Sequence, residues 1–218
     1  MLFKVILYKI EWLNRRLFSK AFVALLLCIS FSATAITFEQ LQQQLMQQQL
    51  LRGDFKQSKQ LQMFNEPLVS EGTFLLSHQQ GLIWSQNTPF PVSLVLAKDK
   101  LRQQFAGQAP EIIEASDNPM VFYFSHLFLS LFKGDLSALE SQFKMTLTEQ
   151  QNDVWLLHLS PKQAPLNKVF ENIEISGKEQ IQQLILLELS GDSSTIQFSN
   201  IRTQPATISQ KESDAFDF

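Results

Sequence analysis

Cysteine is nearly absent from this chain. Cys28 is the only one among 218 residues, and it lies in an apolar leader. The chain beyond it therefore has no disulfide, no thiolate metal site and no thiol nucleophile. Histidine is almost as scarce, with His78, His126 and His158 making up the whole set. No two of them stand at i, i+4 and no HExxH pair occurs, so a histidine metal site would need three distant residues to converge. There is no GxSxG elbow, no GxGxxG and no P-loop. The local signatures of a serine hydrolase, a dinucleotide site and a phosphate cradle are thus missing. Asp135 and Glu188 are the carboxylates set beside apolar sequence, where a general acid could sit. A helix cap for Asp135 and a solvent-facing strand position for Glu188 are the simpler readings. We expect no catalytic residue, no metal and no cofactor, and hence no enzyme.

Basic charge is also in short supply outside the leader. The whole chain has a formal charge of −3, but residues 1–35 hold Lys4, Lys9, Arg15, Arg16 and Lys20 against Glu11 alone. Residues 36–218 keep 13 basic and 20 acidic side chains, a formal −7. Such a balance argues against nucleic acid or an anionic membrane surface as bulk partner. Only 2 tyrosines accompany 19 phenylalanines. Phenylalanine has no polar handle, so this is purely apolar ring surface. An ordinary core accounts for it, and a greasy cavity in addition would account for it as well.

What is present begins with the leader. Arg15, Arg16 and Lys20 precede an apolar run from Ala21 to Phe31, followed by the small-x-small triplet Ala33-Thr34-Ala35. This is the order of a secretory signal, with cleavage expected near Ala35 and Ile36 as the new N-terminus. The run is shorter than the ~20 residues of a membrane span. Leu27 stands before Cys28 where a lipobox needs a small residue, so a lipid anchor is not expected.

Thr37 to Leu50 reads as a helix, with Thr37 and Gln40 as a capping box and Phe38, Leu41 and Leu45 on one face. After Gly53 the period becomes two. Strands are expected at 55–63, 68–76, 82–84, 92–97 and 101–106. Asp117 and Pro119 open a helix running to Leu131, apolar almost all round and ended by Gly134-Asp135. It is either a central core helix or one with a face on a sheet and a face on a ligand. Leu136–Phe143 suggests a further short helix. Strands resume at 143–148, 154–159, 171–176, 181–189 and 195–201, with turns at Gly177-Lys178 and Gly191-Asp192. The expected class is α+β, in one domain over 36–218. About ten strands form a large curved antiparallel sheet, and helices over its concave face enclose a cavity.

The ordered series of short motifs resembles a known family. Phe55-x-Gln57-x-Lys59 follows the capped helix. Then come Gly72-x-Phe74, Gly81-Leu82-Ile83-Trp84, Pro89-Phe90 and Asn118-Pro119-Met120. Late in the chain stand Trp155-x-Leu157-x-Leu159-x-Pro161, the Gly177 and Gly191 turns, and Phe216-x-Phe218. The series is similar to the outer-membrane lipoprotein carriers, the LolA-like proteins, over nearly all of residues 36–218. The resemblance implies an unclosed half-barrel capped by helices. It implies a periplasmic monomer that takes acylated lipoprotein or lipid from an inner-membrane lipoprotein-releasing or lipid-export transporter. An outer-membrane acceptor then receives the cargo, and nucleic acid has no part. The family places an Arg-Pro pair six and five residues before the third-strand Trp, and the Arg helps latch the helical lid. His78 and Gln79 hold those positions here, which marks a divergent branch.

The period-two and period-3.6 patterns put Phe55, Phe74, Leu76, Trp84, Leu94 and Leu96 on the sheet side of the expected cavity. Met120, Phe124 and Phe128 close it from the helix. Trp84 and Trp155 read either as core anchors or as cavity walls. A sensory module of the same fold and a thioesterase-like hydrolase are the other functions weighed, the latter without a visible nucleophile and base.

Overall fold

The computed structural model describes residues 36–218. The leader, the cleavage point near Ala35 and Cys28 lie outside the described residues.

Helix α1 (Phe38–Met46) starts as the sequence predicts. The Thr37 hydroxyl accepts from Gln40 N at 3.2 Å, and Gln40 Oε1 accepts from Thr37 N at 2.8 Å. It stops before Leu50 because Leu50 already pairs with Ser77 in the sheet. Strands β1 (Leu50–Gln60), β2 (Leu68–Ser77), β3 (Gly81–Thr88), β4 (Val92–Ala97), β5 (Lys100–Phe105) and β6 (Glu111–Glu114) follow as a meander. Then come α2 (Pro119–Phe132) and α3 (Leu136–Glu140). Strands β7 (Phe143–Glu149), β8 (Trp155–Pro161), β9 (Phe170–Gly177), β10 (Ile181–Glu188) and β11 (Ser193–Arg202) form a second meander, and α4 (Gln210–Ala215) comes last. Asn118, not Asp117, caps α2, accepting from Val121 N at 3.3 Å with Pro119 in the first turn. Gly134 ends α2 at φ +71°, a left-handed position that disfavours a side chain. Asp135 caps α3 through Ala138 N at 3.1 Å, so its carboxylate serves the backbone.

All eleven strands join one antiparallel sheet in the order β6-β5-β4-β3-β2-β1-β11-β10-β9-β8-β7. Pairing of β1 with β11 joins the two meanders at the centre. The edge strands β6 and β7 are neighbours in sequence but not in the sheet, so the sheet is unclosed. The chain passes from one edge to the other through α2 and α3, which lays the apolar helix against the concave face.

Register decides which side chains share a face, since directly paired residues point the same way. Phe74 pairs with Trp84 and Trp84 with Leu94; Leu76, Leu82, Leu96 and Leu101 form the next row. Both rows face α2. Phe55 pairs with Gly72, and its ring reaches across to stack on Trp84 with centroids 3.6 Å apart. Only glycine allows this. A Cβ at position 72 would lie 2.8 Å from the Phe55 ring and 2.0 Å from the Ser85 carbonyl oxygen. Two of the residues that carry the family resemblance therefore have one packing cause.

The convex face has its own small core. Arg52, Leu75, Ile83, Val95 and Arg102 form a cross-strand row on that side. Leu75 and Val95 are buried, yet neither belongs to the main core. The segment 203–218 crosses this row as a strap. At one end the Arg52 guanidinium grips Glu212 with two bonds of 2.7 and 2.8 Å and donates to the carbonyls of Pro205 and Thr207. At the other end Arg102 lies over the Phe218 ring, 4.9 Å from its centroid. Ile208, Glu212, Ser213, Ala215, Phe216 and Phe218 are its half-buried positions, from the entry of α4 to the chain's last residue.

Candidate functional site

The main core does not fill the space between α2 and the sheet. A cavity of about 450 Å³ remains there, partly open to solvent. That volume falls in the range of roughly 300–1,000 Å³ common for small-ligand sites. Leu82, Trp84, Leu94, Leu96 and Leu101 of β3–β5 make one wall. Phe143, Leu159, Phe170, Leu184 and Leu186 make the facing wall from the other meander. Val121, Phe124, Leu127 and Phe128 of α2 form the roof. Beyond Trp84 and Phe128 the space closes: Phe74, Leu76, Phe132 and Phe198 pack there with no room for a water.

Nineteen of the twenty lining residues are apolar, and the other is Ser125. Its hydroxyl already donates to the Val121 carbonyl at 2.8 Å, an intrahelical bond that commits its one proton and leaves only an acceptor oxygen toward the cavity. Among the described residues no titratable group lines the wall. A charged or strongly polar ligand would lose its water there and find no partner. An alkyl chain loses nothing and gains about 0.8 kcal/mol per buried methylene. A chain of a dozen methylenes would thus gain on the order of 10 kcal/mol before its ordering entropy is counted.

The nine residues singled out from sequence fall into three groups. Trp84, Leu94, Leu96, Phe124 and Phe128 line the cavity. Phe74 and Leu76 lie in the packed end beside it, and Phe55 stands behind Trp84. Met120 is 42% exposed and does not line the cavity. Trp155 is core: fully buried, with its indole N–H donating to the Lys178 carbonyl at 2.6 Å. Sequence reasoning missed the wall from β7–β10. The usable signal was there in β10, where Leu184, Leu186 and their neighbours make a continuous apolar run, but the run does not say which side faces α2.

The three histidines lie far apart in role as well as in sequence. His126 is 3.6 Å from Asp99 and His158 is 3.6 Å from Glu174, both at exposed or half-exposed positions. Among the described residues no three His, Cys, Asp or Glu side chains gather to hold a metal. His78 is different. It leaves the end of β2 beside the last turn of α2, near the Phe132 carbonyl and Lys133. Burial pushes its pKa below the ordinary 6.5, the Lys133 charge adds to this, and the Phe132 carbonyl opposes it. Its Nε2 is buried without a partner.

A sequence-family model described as "Outer membrane lipoprotein carrier protein LolA" matches residues 46–213, well over half of the chain. The chain belongs to the LolA family. The match runs from the end of α1 to within α4, so it takes in every strand, α2 and most of the strap. Among solved structures, a LolA superfamily protein from Nitrosomonas europaea is similar at 11% identity and a TM-score of 0.43, covering 81% of this chain and 97% of that one. A candidate outer membrane lipoprotein-sorting protein domain from Vibrio parahaemolyticus is similar at 8% identity and a TM-score of 0.47, covering 83% and 97%. No curated protein sequence matches this one. Membership rests on the family model. His78, at the position where the resemblance implies a latch arginine, lies against the end of the helical roof near Phe132 and Lys133. No helix among the described residues is long and apolar enough to cross a membrane.

Proposed function

We propose that this LolA-family chain is a periplasmic carrier. It holds the acyl part of a lipoprotein, or of a related lipid, and moves it from the inner to the outer membrane without catalysing a reaction. Residues 1–35 are its cleaved signal peptide and 36–218 its carrier domain. The donor is a lipoprotein-releasing or lipid-export transporter of the inner membrane, and an outer-membrane acceptor takes the cargo. One observation supports the reading above all: a cavity of about 450 Å³ lined by apolar side chains apart from Ser125, whose proton is committed to its own helix. Acyl chains pack against Trp84, Leu94, Leu96, Phe124 and Phe128 in this reading, while Phe55, Phe74 and Leu76 hold that wall in place. The non-catalytic part of the reading is supported by the same lining: among the described residues Ser125 is the one hydroxyl there, its proton is committed to its own helix, and no base lines the cavity with it.

Lipid extraction and mass spectrometry test the proposal on protein purified from the periplasm without detergent. An acylated species near one equivalent per chain is the expected result. Turnover of an ester substrate, abolished by a single substitution in the cavity, would overturn the non-enzymatic reading.

A further inference from the structure

The exposed apolar side chains are not scattered. The loops joining β1 to β2, β3 to β4, β5 to β6 and β10 to β11 all leave the sheet at the same rim, because alternate strands of a meander turn at the same end. Of the large hydrophobic residues that remain exposed, most sit on these hairpins. They are Met63, Phe64 and Leu68 on the first, Phe90 on the second, Phe105 on the third and Leu189 on the fourth. Met63 is 81% exposed and Phe90 is 74% exposed. Pro89 and Pro91 flank Phe90, and Gln86 bonds its carbonyl at 2.9 Å, so the ring is presented on a short, fixed turn. The first and fourth hairpins are tied together, since Gln62 N donates to Asp192 at 2.9 Å. Exposed apolar tips on this scale carry a solvation penalty in the free protein, which marks an interaction surface.

Charge narrows the partner. Within residues 61–67, 89–91, 106–110 and 189–192 only Glu66 and Asp192 are ionisable, against a formal −7 for residues 36–218. The β8–β9 connection leaves the sheet at the same rim and carries Lys162 and Lys168, while Lys59 at the end of β1 faces Glu188 at 3.8 Å. The tips therefore have apolar and uncharged amide groups where the rest of the surface is acidic. They stand on four loops that follow one another along the rim, an open row of tips rather than a pocket. A partner with a fixed shape needs a pocket; a fluid interface accepts an open row of tips. The rim also borders the cavity. Phe170 opens β9 at this rim, and Leu186 lies three residues before the exposed Leu189.

We infer that this rim docks on the surface of a lipid bilayer with neutral or zwitterionic headgroups, inserting Phe90, Met63 and Phe64 and turning the cavity wall of β9 and β10 toward the lipid. The inference rests on the carrier reading and adds the surface at which an acyl chain enters or leaves.

Flotation with protein-free phosphatidylcholine vesicles tests it, alongside binding of an apolar fluorescent probe to the same protein. The processed periplasmic protein, residues 36–218 in the proposed reading, should float with the vesicles, and the bound fraction should change less than about twofold between ~0.05 and ~0.5 M NaCl. Phe90→Ser should lower vesicle partition about tenfold while leaving probe affinity and circular dichroism unchanged. Met63→Ser with Phe64→Ser should do the same, which guards against one loop acting alone. Absence of vesicle binding with probe binding intact would overturn the inference and leave the carrier reading standing. So would binding only to anionic vesicles that salt abolishes, or binding to native membranes alone, which would assign the rim to a protein. Vesicle binding without probe binding would instead uphold the rim and remove the cavity reading.

Discussion

The two faces of one sheet solve the same problem in opposite ways. On the convex side Leu75 and Val95 are sealed by the strap 203–218, and Val95 keeps 1% of its surface. The seal is polar at both ends, Arg52 on Glu212 and Arg102 on Phe218. On the concave side a far larger apolar set is covered by an apolar helix, and the cover leaves about 450 Å³. Ring and leucine side chains from both meanders stop short of one another there, with half-buried Trp84, Phe124 and Phe128 at the boundary. The difference teaches that the concave space is not a failure of this chain to pack. The same strands pack to closure on the convex side, where the Arg52–Glu212 pair and the Arg102–Phe218 contact hold the cover down.

The largest effect should come from breaking that hold. Glu212→Ala leaves Arg52, 7% exposed, without its carboxylate. Loss of a buried pair of this kind costs about 3 kcal/mol. The urea midpoint should fall accordingly, while the apolar probe still binds the concave side in the folded protein. The same pair predicts an acid limb. Arg52, aided by Ser209, holds the Glu212 carboxyl down to about 2 from an ordinary 4.5. The folded state therefore binds fewer protons than the unfolded one in this range. The contribution is complete above pH 4.5 and fades as pH falls toward 2, and Glu212→Gln should remove that limb from a stability–pH curve.

Filling the two faces should separate them next. Val95→Phe forces a ring under the strap and should cost about 1–3 kcal/mol, as overpacking does. Leu186→Trp enters open space and should cost less than about 1 kcal/mol while cutting probe affinity about tenfold. Equal destabilisation by both would erase the comparison. Phe124→Asp sharpens it further: a charge on the roof should weaken probe binding with the sheet still folded, whereas outright unfolding would assign α2 to the core alone.

The smallest expected effect is at His78. Its folded pKa lies below 6.5, so the folded state resists protonation. Stability is complete above pH 6.5 and declines as pH falls below it, a window separate from that of Glu212. His78→Asn should flatten the curve just below pH 6.5 and leave the Glu212 limb unchanged, read by thermal melts at a series of pH values.

Much of this was legible in the sequence, for physical reasons that also mark where it stopped. The sequence pattern placed β4 at 92–97 and put Phe74, Trp84 and Leu94 on one face, although the opposite face is also buried where Leu75 and Val95 lie under the strap. Strand β6 escaped because Glu111-Ile112-Ile113-Glu114 is too short to show a period. The strap escaped because α4 is polar except for a narrow face, and its anchor Arg52 lies 160 residues away in the chain. The second cavity wall escaped because β10 is apolar on both sides. Closure of the sheet onto α2 brings that wall opposite Trp84, and no local pattern encodes a meeting between two meanders.

The most direct test of the account is native mass spectrometry of the protein with a triacylated lipopeptide and with the same peptide lacking its acyl chains. The account predicts a one-to-one complex with the acylated form only, lost in Leu186→Trp and kept in Val95→Phe. Equal binding of the unacylated peptide, or a complex that survives filling of the concave cavity, would contradict it.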